Sequence, residues 1–245
     1  MHLPEQNGPR ILALWSAPRC RSTAFMRMMA ERGDFLVVHE PFSHLADFGV
    51  AEAGPLRAHS EAELIAALRE LSEQRPVFFK DTTDFHYPGL LADSAFLAEA
   101  THTFIIRHPR EAIASHFALN PSLGRDEIGF ARLAEIYDAV EATGREPVVV
   151  DSGLLMERPA DTVAAYCAGV GIAYREEALS WQPGMREEWR RTQRWHESTS
   201  RTDGFHKEAS PYGTTPDNDE TLAEYLRFHL PFYEKLLSRR MTLHP

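Results

Sequence analysis

Five short apolar runs punctuate the chain, with amphipathic stretches between them. Arg10–Ala17 carries Ile11, Leu12, Leu14 and Trp15, followed by Phe35–His39, Val77–Phe79, Thr103–Arg107 and Pro147–Asp151. Runs that are apolar at successive positions suit strands buried on both faces. Their alternation with helical patterns predicts a parallel sheet flanked by helices. Ser60 and Glu63 have capping-box spacing and precede Leu64, Leu68 and Leu71 at helical intervals. Leu133, Ile136, Tyr137 and Val140 form a second core-facing stripe. A last helix is expected over Glu220–Arg240, with Pro231 kinking or splitting it. Two stretches rich in turn-forming and polar residues, Pro41–His59 and Asp203–Asp219, read as long loops of the kind that shape a site. The expectation is an α/β fold: one three-layer domain over residues 1–245 with a central, mostly parallel sheet of about five strands.

Composition narrows the partners. With 43% hydrophobic and 25% charged residues, the 245-residue chain is globular rather than disordered or fibrous. Its 26 basic and 36 acidic side chains leave a net charge of −10, which argues against nucleic acid as a main partner but permits a local basic pocket. Two cysteines, Cys20 and Cys167, are too few for a disulfide framework. Met1–Arg10 has no apolar core of a secretory signal, and no apolar run approaches the roughly 20 residues of a membrane helix. A cytoplasmic protein without a membrane partner is expected, and its oligomeric state stays open.

The segment from Trp15 to Met29 (WSAPRCRSTAFMRMM) passes from a buried strand into an amphipathic helix, with Pro18 ending the strand and Ser22 or Thr23 expected as the helix cap. Such a turn offers unpaired amide donors and the positive end of the helix dipole to an anion. Arg19 and Arg21 add full charge, and Ser22 and Thr23 add hydroxyls. The alternative is a pair of solvated arginines on an ordinary turn. The Gly-Lys-Ser/Thr ending of nucleoside-triphosphate loops is absent. A second segment, Phe104–Phe117, places Arg107 at a strand's carboxyl end, where open α/β sheets bind ligands, with Pro109 opening a helix that carries Ser115. Arg107 and Ser115 can hold a second phosphate, or Arg107 can simply pair with Glu111.

Together these segments resemble the sulfotransferases that use 3′-phosphoadenosine 5′-phosphosulfate (PAPS). Members carry a Pro-(Lys/Arg)-Ser-Gly-(Ser/Thr)-Thr loop after the first strand, here Pro18-Arg19-Cys20-Arg21-Ser22-Thr23. They carry Arg-x-Pro with a serine eight residues after the arginine, here Arg107, Pro109 and Ser115. Bacterial and carbohydrate-type members often end the second strand in Glu-Pro, here Glu40-Pro41. The match is nearest to a bacterial small-molecule branch with a Trp-Ser-Ala-Pro-Arg-x-Arg-Ser-Thr loop. Arg21 departs from the usual glycine, and the C-terminal Arg-Lys-Gly element has no clear copy. Its nearest stand-in is Arg186–Arg201, where Arg186, Arg190 and Arg194 share one face of a helix and more simply face water beside structural tryptophans.

The resemblance implies a P-loop-like fold and transfer of a sulfuryl group from PAPS to a hydroxyl or amine of a small molecule, leaving 3′,5′-adenosine bisphosphate. Arg19, Cys20, Arg21, Ser22 and Thr23 would hold the 5′-phosphosulfate, with Arg107 and Ser115 on the 3′-phosphate. Arg19 would stabilise the leaving oxygen, and Glu40 is the first choice of base, ahead of Asp81, His86 and His39. Glu40 could instead be a salt-bridge partner of Arg19 or Arg21. Strand alternation should send His39 and Glu40 to opposite sides. Cys20 could have a depressed pKa, although it is read as a loop residue rather than a nucleophile. No metal-binding motif occurs, and none is required. Two alternatives stay open: a small-metabolite kinase using magnesium-ATP, and a non-catalytic nucleotide-binding protein.

Overall fold

A computed structural model describes residues 8–206 and 212–243. The chain runs β1 (Ile11–Ser16), α1 (Ser22–Glu31), β2 (Leu36–His39), α2 (Pro41–Phe48), β3 (Ala51–Ala53), β4 (Leu56–Ala58), α3 (Glu61–Gln74) and β5 (Val77–Thr82). It continues through α4 (Pro88–Ala92), α5 (Ser94–Glu99), β6 (Thr101–Ile106), α6 (Pro109–Phe117), α7 (Phe130–Glu141), β7 (Val148–Asp151), α8 (Ser152–Glu157) and α9 (Pro159–Val170). After two 3-10 segments come α10 (Glu197–Ser200) and α11 (Glu220–Leu237). Five strands form one sheet in the order β2-β5-β1-β6-β7, and every neighbouring pair is parallel. These are the five apolar runs of the sequence, shifted by no more than three residues at either end.

Period-two geometry splits the central strand between two cores. Ile11, Ala13 and Trp15 join the layer that includes Leu64 and Leu68 of α3, Leu133 and Tyr137 of α7, and Leu236 of α11. Leu12 and Leu14 join Phe25 and Met29 of α1 and Val163 and Tyr166 of α9 on the other face. Trp15 is fully buried, edge-on to Phe79 with centroids 5.4 Å apart, and its Nε1–H donates to His102 Nδ1 at 2.9 Å. Burying a side chain of this size removes a large apolar area from water and meets its one polar atom as well. The Ser60 hydroxyl caps α3 by accepting from Glu63 N at 3.2 Å, while the Glu63 carboxylate reaches back to His59 N at 2.7 Å.

Three expectations are corrected. Residues 41–59 are not a loop: Pro41 opens a helix at its first turn, where its missing N–H costs nothing, and Ala51–Ala58 folds as an antiparallel hairpin around Gly54. Pro231 does not split α11, which runs as one helix from Glu220 to Leu237 and packs against α6 and α7. The basic stretch after Arg186 is not a regular helix. It is a 3-10 segment, Glu187–Trp195, interrupted at Thr192, with Trp189 buried, Arg190 paired to Glu187 and Arg194 turned onto the Trp195 ring. The expected loop at 203–219 has no helix or strand longer than a single bridge in its described residues, and residues 207–211 lie outside them. No helix of the described residues is long and apolar enough to cross a membrane.

Candidate active site

A cavity of about 320 Å³ opens above the carboxyl ends of β1, β2, β5 and β6, where open parallel sheets place ligands. One half of its wall is cationic. Arg19 and Arg21, in the turn after β1, both have left-handed backbones, with φ of 66° and 68°. That conformation is costly for a residue with a Cβ, and such strain persists where the surroundings over-determine it. Arg21, not Ser22 or Thr23, is the N-cap of α1, and no side chain caps the helix. The first-turn amide donors therefore face the cavity wall formed by Ser22, Thr23 and Ala24 with no side-chain acceptor of their own. Ser22 Oγ instead accepts from the Ser16 hydroxyl at 2.8 Å, which fixes the start of the helix to the end of β1.

The second segment meets the first. Arg107 donates to the Arg19 carbonyl at 3.2 Å and to Glu111 Oε2 at 2.9 Å. Arg19 donates to Ser115 Oγ at 3.1 Å and to the Trp195 carbonyl at 2.7 Å. Arg21 reaches the Ser152 carbonyl at 3.1 Å and lies 3.8 Å from Glu111. Arg19, Arg21, Arg107 and Ser115 thus line one wall, although they stand up to 96 positions apart in the chain. Glu111 does pair with Arg107, but one carboxylate shared with Arg21 leaves the wall net positive. Burial, with Arg107 adding to it, lowers the pKa of Arg19 from its usual value. Cys20 sits between the two arginines, yet its side chain is fully buried away from the cavity, and burial pushes the thiol up to about 12. The expected depression by neighbouring charge is overruled by desolvation.

The other half is built on β2 and β5. Glu40 follows β2 with φ of 45°, and its carboxylate accepts from the buried Lys80 ammonium of β5. Neither Arg19 nor Arg21 takes it. Burial alone would raise the Glu40 pKa, but the Lys80 charge, with smaller effects of His39 and His196, holds it well below the usual carboxylate range. The left-handed turn at Glu40 also breaks strand alternation, so His39 does not point away: its Nε2 lies 3.4 Å from Glu40 Oε2. The remaining candidate bases stand elsewhere. Asp81 is fully buried and accepts from Phe42 N, from Ser43 N and Oγ, and from Thr82 N, which makes it the anchor of the first turn of α2. His86 pairs with Glu135 at 3.5 Å and does not line the cavity.

His196 was not singled out by the sequence. Its ring is buried, lines the cavity, and links the two halves: Nδ1 lies 3.2 Å from Thr23 Oγ1, and Nε2 lies 3.2 Å from His39 Nε2. Burial lowers its pKa to about 4 and also holds His39 well below its ordinary value, so both rings are neutral near pH 7. Only the Trp-His dipeptide at the end of the basic stretch marks it, and no spacing connects that to Thr23. His39, Glu40 and His44 each bring one ligand atom within 4.8 Å of the others, a grouping that motif spacing did not reveal. Lys80 on the same carboxylate sets a positive charge beside any cation there.

Residues 9–240 match the model of the sulfotransferase domain family, and the chain belongs to that family. It is 26% identical over 244 residues to branched-chain-amino-acid aminotransferase-like protein 2 of Arabidopsis thaliana, and 25% identical over 246 residues to protein 1 of the same name. These alignments take in 93% and 94% of this chain but 43% and 44% of the plant proteins, so the chain spans less than half the length of the curated relatives it matches. Among solved structures it is similar to the sulfotransferase domain of the Synechococcus PCC 7002 olefin synthase, with TM-score 0.45, 14% identity, and coverage of 94% of this chain and 98% of that one. It is also similar to the sulfotransferase domain of the curacin biosynthetic pathway, with TM-score 0.44, 13% identity, and coverage of 91% and 98%.

Proposed function

We propose that this chain transfers the sulfuryl group of PAPS to a hydroxyl of a small-molecule acceptor, and that residues 1–245 act as one sulfotransferase domain in the cytoplasm. The observation that carries this reading is the convergence of Arg19, Arg21 and Arg107 on an uncapped helix start, in the same cavity as the Glu40–Lys80 pair. Three guanidiniums and a turn of free amide donors suit a ligand with two separated phosphates, because charge-assisted bonds to fixed donors are the strong ones. Backbone amides from Cys20 to Thr23 and the Ser22 and Thr23 hydroxyls would hold the 5′-phosphosulfate. Arg107 and Ser115 would hold the 3′-phosphate, with Arg19 released from Ser115 to face the leaving oxygen.

The donor supplies an activated sulfuryl group. The acceptor oxygen forms a bond to sulfur as the bond from sulfur to the 5′-phosphate oxygen breaks, and the acceptor proton passes to Glu40. Catalysis of such an in-line transfer is mostly positioning and charge stabilisation. Arg19 offsets the negative charge that grows on the leaving phosphate. Glu40 stays ionised at physiological pH because Lys80 holds it so, and an ionised carboxylate orients the acceptor hydroxyl before accepting its proton. No step is assigned to a metal.

Incubation with PAPS and a panel of small hydroxyl compounds tests the reading, with chromatography of the nucleotide products. Release of 3′,5′-adenosine bisphosphate that depends on an acceptor is expected. Formation of ADP from magnesium-ATP instead would establish the kinase alternative. Neither product, with nucleotide still bound, would leave the non-catalytic one.

A further inference from the structure

The cavity is electrically divided along the sheet. Its arginines come from the ends of β1 and β6, and Arg194 adds a fourth from the segment above them. Asp47 and Asp84 come from α2 and from the turn after β5, beside Glu40 and Lys80. Glu127 lines the same wall. Arg132 places it near Asp84 by donating to the backbone carbonyls of both Asp84 and Asp126. The donor reading puts phosphates at the arginine half, so the carboxylate half is left to the acceptor.

The cations around these carboxylates are committed elsewhere. Lys80 is matched to Glu40. The Arg132 guanidinium is directed at carbonyls, and Arg125 pairs with Asp126. Arg191 lies 3.8 Å from Glu52 and over the Phe48 ring. Among the described residues Asp47, Asp84 and Glu127 have no ion-pair partner: Asp84 accepts from the Thr82 hydroxyl at 2.8 Å, and Glu127 accepts from Gly124 N at 2.5 Å. The imidazoles facing this half are neutral or occupied. Burial lowers the pKa of His44, and His86 is turned to Glu135. A second feature points the same way: His44 Nε2 is shielded from solvent without a hydrogen-bond partner, although His44 lines the cavity. A carboxylate out of water without a counter-ion is costly, and a ligand that brings the counter-ion removes the cost.

We propose that the acceptor is a hydroxylated amine whose protonated nitrogen is seated by Asp84, with Asp47 and Glu127 supporting, while its hydroxyl is presented to Glu40. This rests on the sulfotransferase reading and narrows it from small hydroxyl compounds in general to cationic ones. Asp84 is the specificity-determining residue. Its carboxyl is pushed up to about 6 by burial, against the pull of the Thr82 hydroxyl, and an ammonium ligand brings it back to the ionised form.

Two sets of three probes test this by calorimetry, each with a hydroxyl and a cationic, neutral or anionic end. The first is tyramine, 4-ethylphenol and 3-(4-hydroxyphenyl)propanoate, and the second is ethanolamine, ethylene glycol and glycolate. Each titration is run with and without saturating 3′,5′-adenosine bisphosphate. In at least one set the amine should bind about 10-fold tighter than its neutral counterpart, with the anion weakest. Asp84→Asn should remove most of that preference and leave the neutral probe unchanged, and the exposed Asp47→Asn should remove a smaller part. A neutral or anionic probe binding as tightly as the amine, no binding of either amine, or an amine preference untouched by both variants would overturn the proposal. Failure of the bisphosphate to bind would count against the donor reading alone, since the amine preference is measured on the free protein too.

Discussion

Glu40 and Lys80 are joined twice, by backbone and by side chain. The Glu40 amide donates to the Lys80 carbonyl at 2.7 Å, continuing the β2–β5 ladder by one rung, while the Lys80 ammonium donates to the Glu40 carboxylate. Both residues are buried. Removing one partner of a buried pair leaves an uncompensated charge, which costs about 3–5 kcal/mol, whereas neutralising both costs far less. Lys80→Met should therefore lower stability by about that amount in urea unfolding, and Lys80→Met with Glu40→Gln should recover much of the loss. Sulfuryl transfer should stay abolished in the double variant, because stability returns without the carboxylate.

Asp81 acts through α2 rather than through chemistry. Its carboxylate takes four donors from Phe42, Ser43 and Thr82. Asp81→Asn would turn an amide N–H₂ toward one of those N–H or O–H groups and lose its acceptor. A loss of about 1–3 kcal/mol is expected from the buried donors left unpaired, read as a lower midpoint of chemical unfolding. If the variant folds at full stability but transfers no sulfate, Asp81 is part of the chemistry after all.

Acid should loosen the link between the cavity halves. The pKa of His196 falls to about 4 in the fold by burial, against an ordinary 6.5. Between those values the unfolded chain takes up a proton that the folded chain does not, so stability is full above pH 6.5 and declines as pH drops toward 4. Asp81 and Asp84, raised by burial to about 7 and about 6, act in the opposite sense over part of that range. The difference between the chain and its His196→Gln variant isolates the imidazole. Melting temperatures of the two should converge as pH falls from 7 to 4, and parallel curves would contradict the assignment.

Cys20 and Cys167 are both free and buried, and burial raises both thiols. Little thiolate forms at pH 8. Ellman's reagent should find neither cysteine in the native protein and both after denaturation. A thiol that reacts quickly in the folded state would reopen Cys20 as an active group.

The sheet was legible because its strands are buried on both faces, which leaves unbroken apolar runs such as Leu36–Val38 and Phe104–Ile106. The arginine wall was legible for a different reason: Arg19 and Arg21, and Arg107 with Ser115, each lie within one strand–turn–helix unit, so local spacing carries the geometry. The loop expected at 41–59 misled because Pro and Gly mark helix starts and hairpin turns as readily as loops, and Pro41 and Gly54 do both here. Pro231 was read as a break from local rules, but packing of α11 on α6 and α7 keeps the helix whole. His196 and the Lys80 partner of Glu40 arise from contacts across 157 and 40 positions, which no local pattern encodes. Positive φ at Glu40 was equally invisible, and it is what brings His39 and Glu40 to the same side.

Calorimetric titration with 3′,5′-adenosine bisphosphate, set beside magnesium-ATP and repeated on Arg107→Ala, bears on the central claim most directly. The account predicts tight binding of the bisphosphate, weaker binding of magnesium-ATP, and loss of most bisphosphate affinity in the variant, because Arg107 joins the arginine wall to the Arg19 carbonyl. Preference for magnesium-ATP, or bisphosphate binding that Arg107→Ala leaves intact, would contradict it.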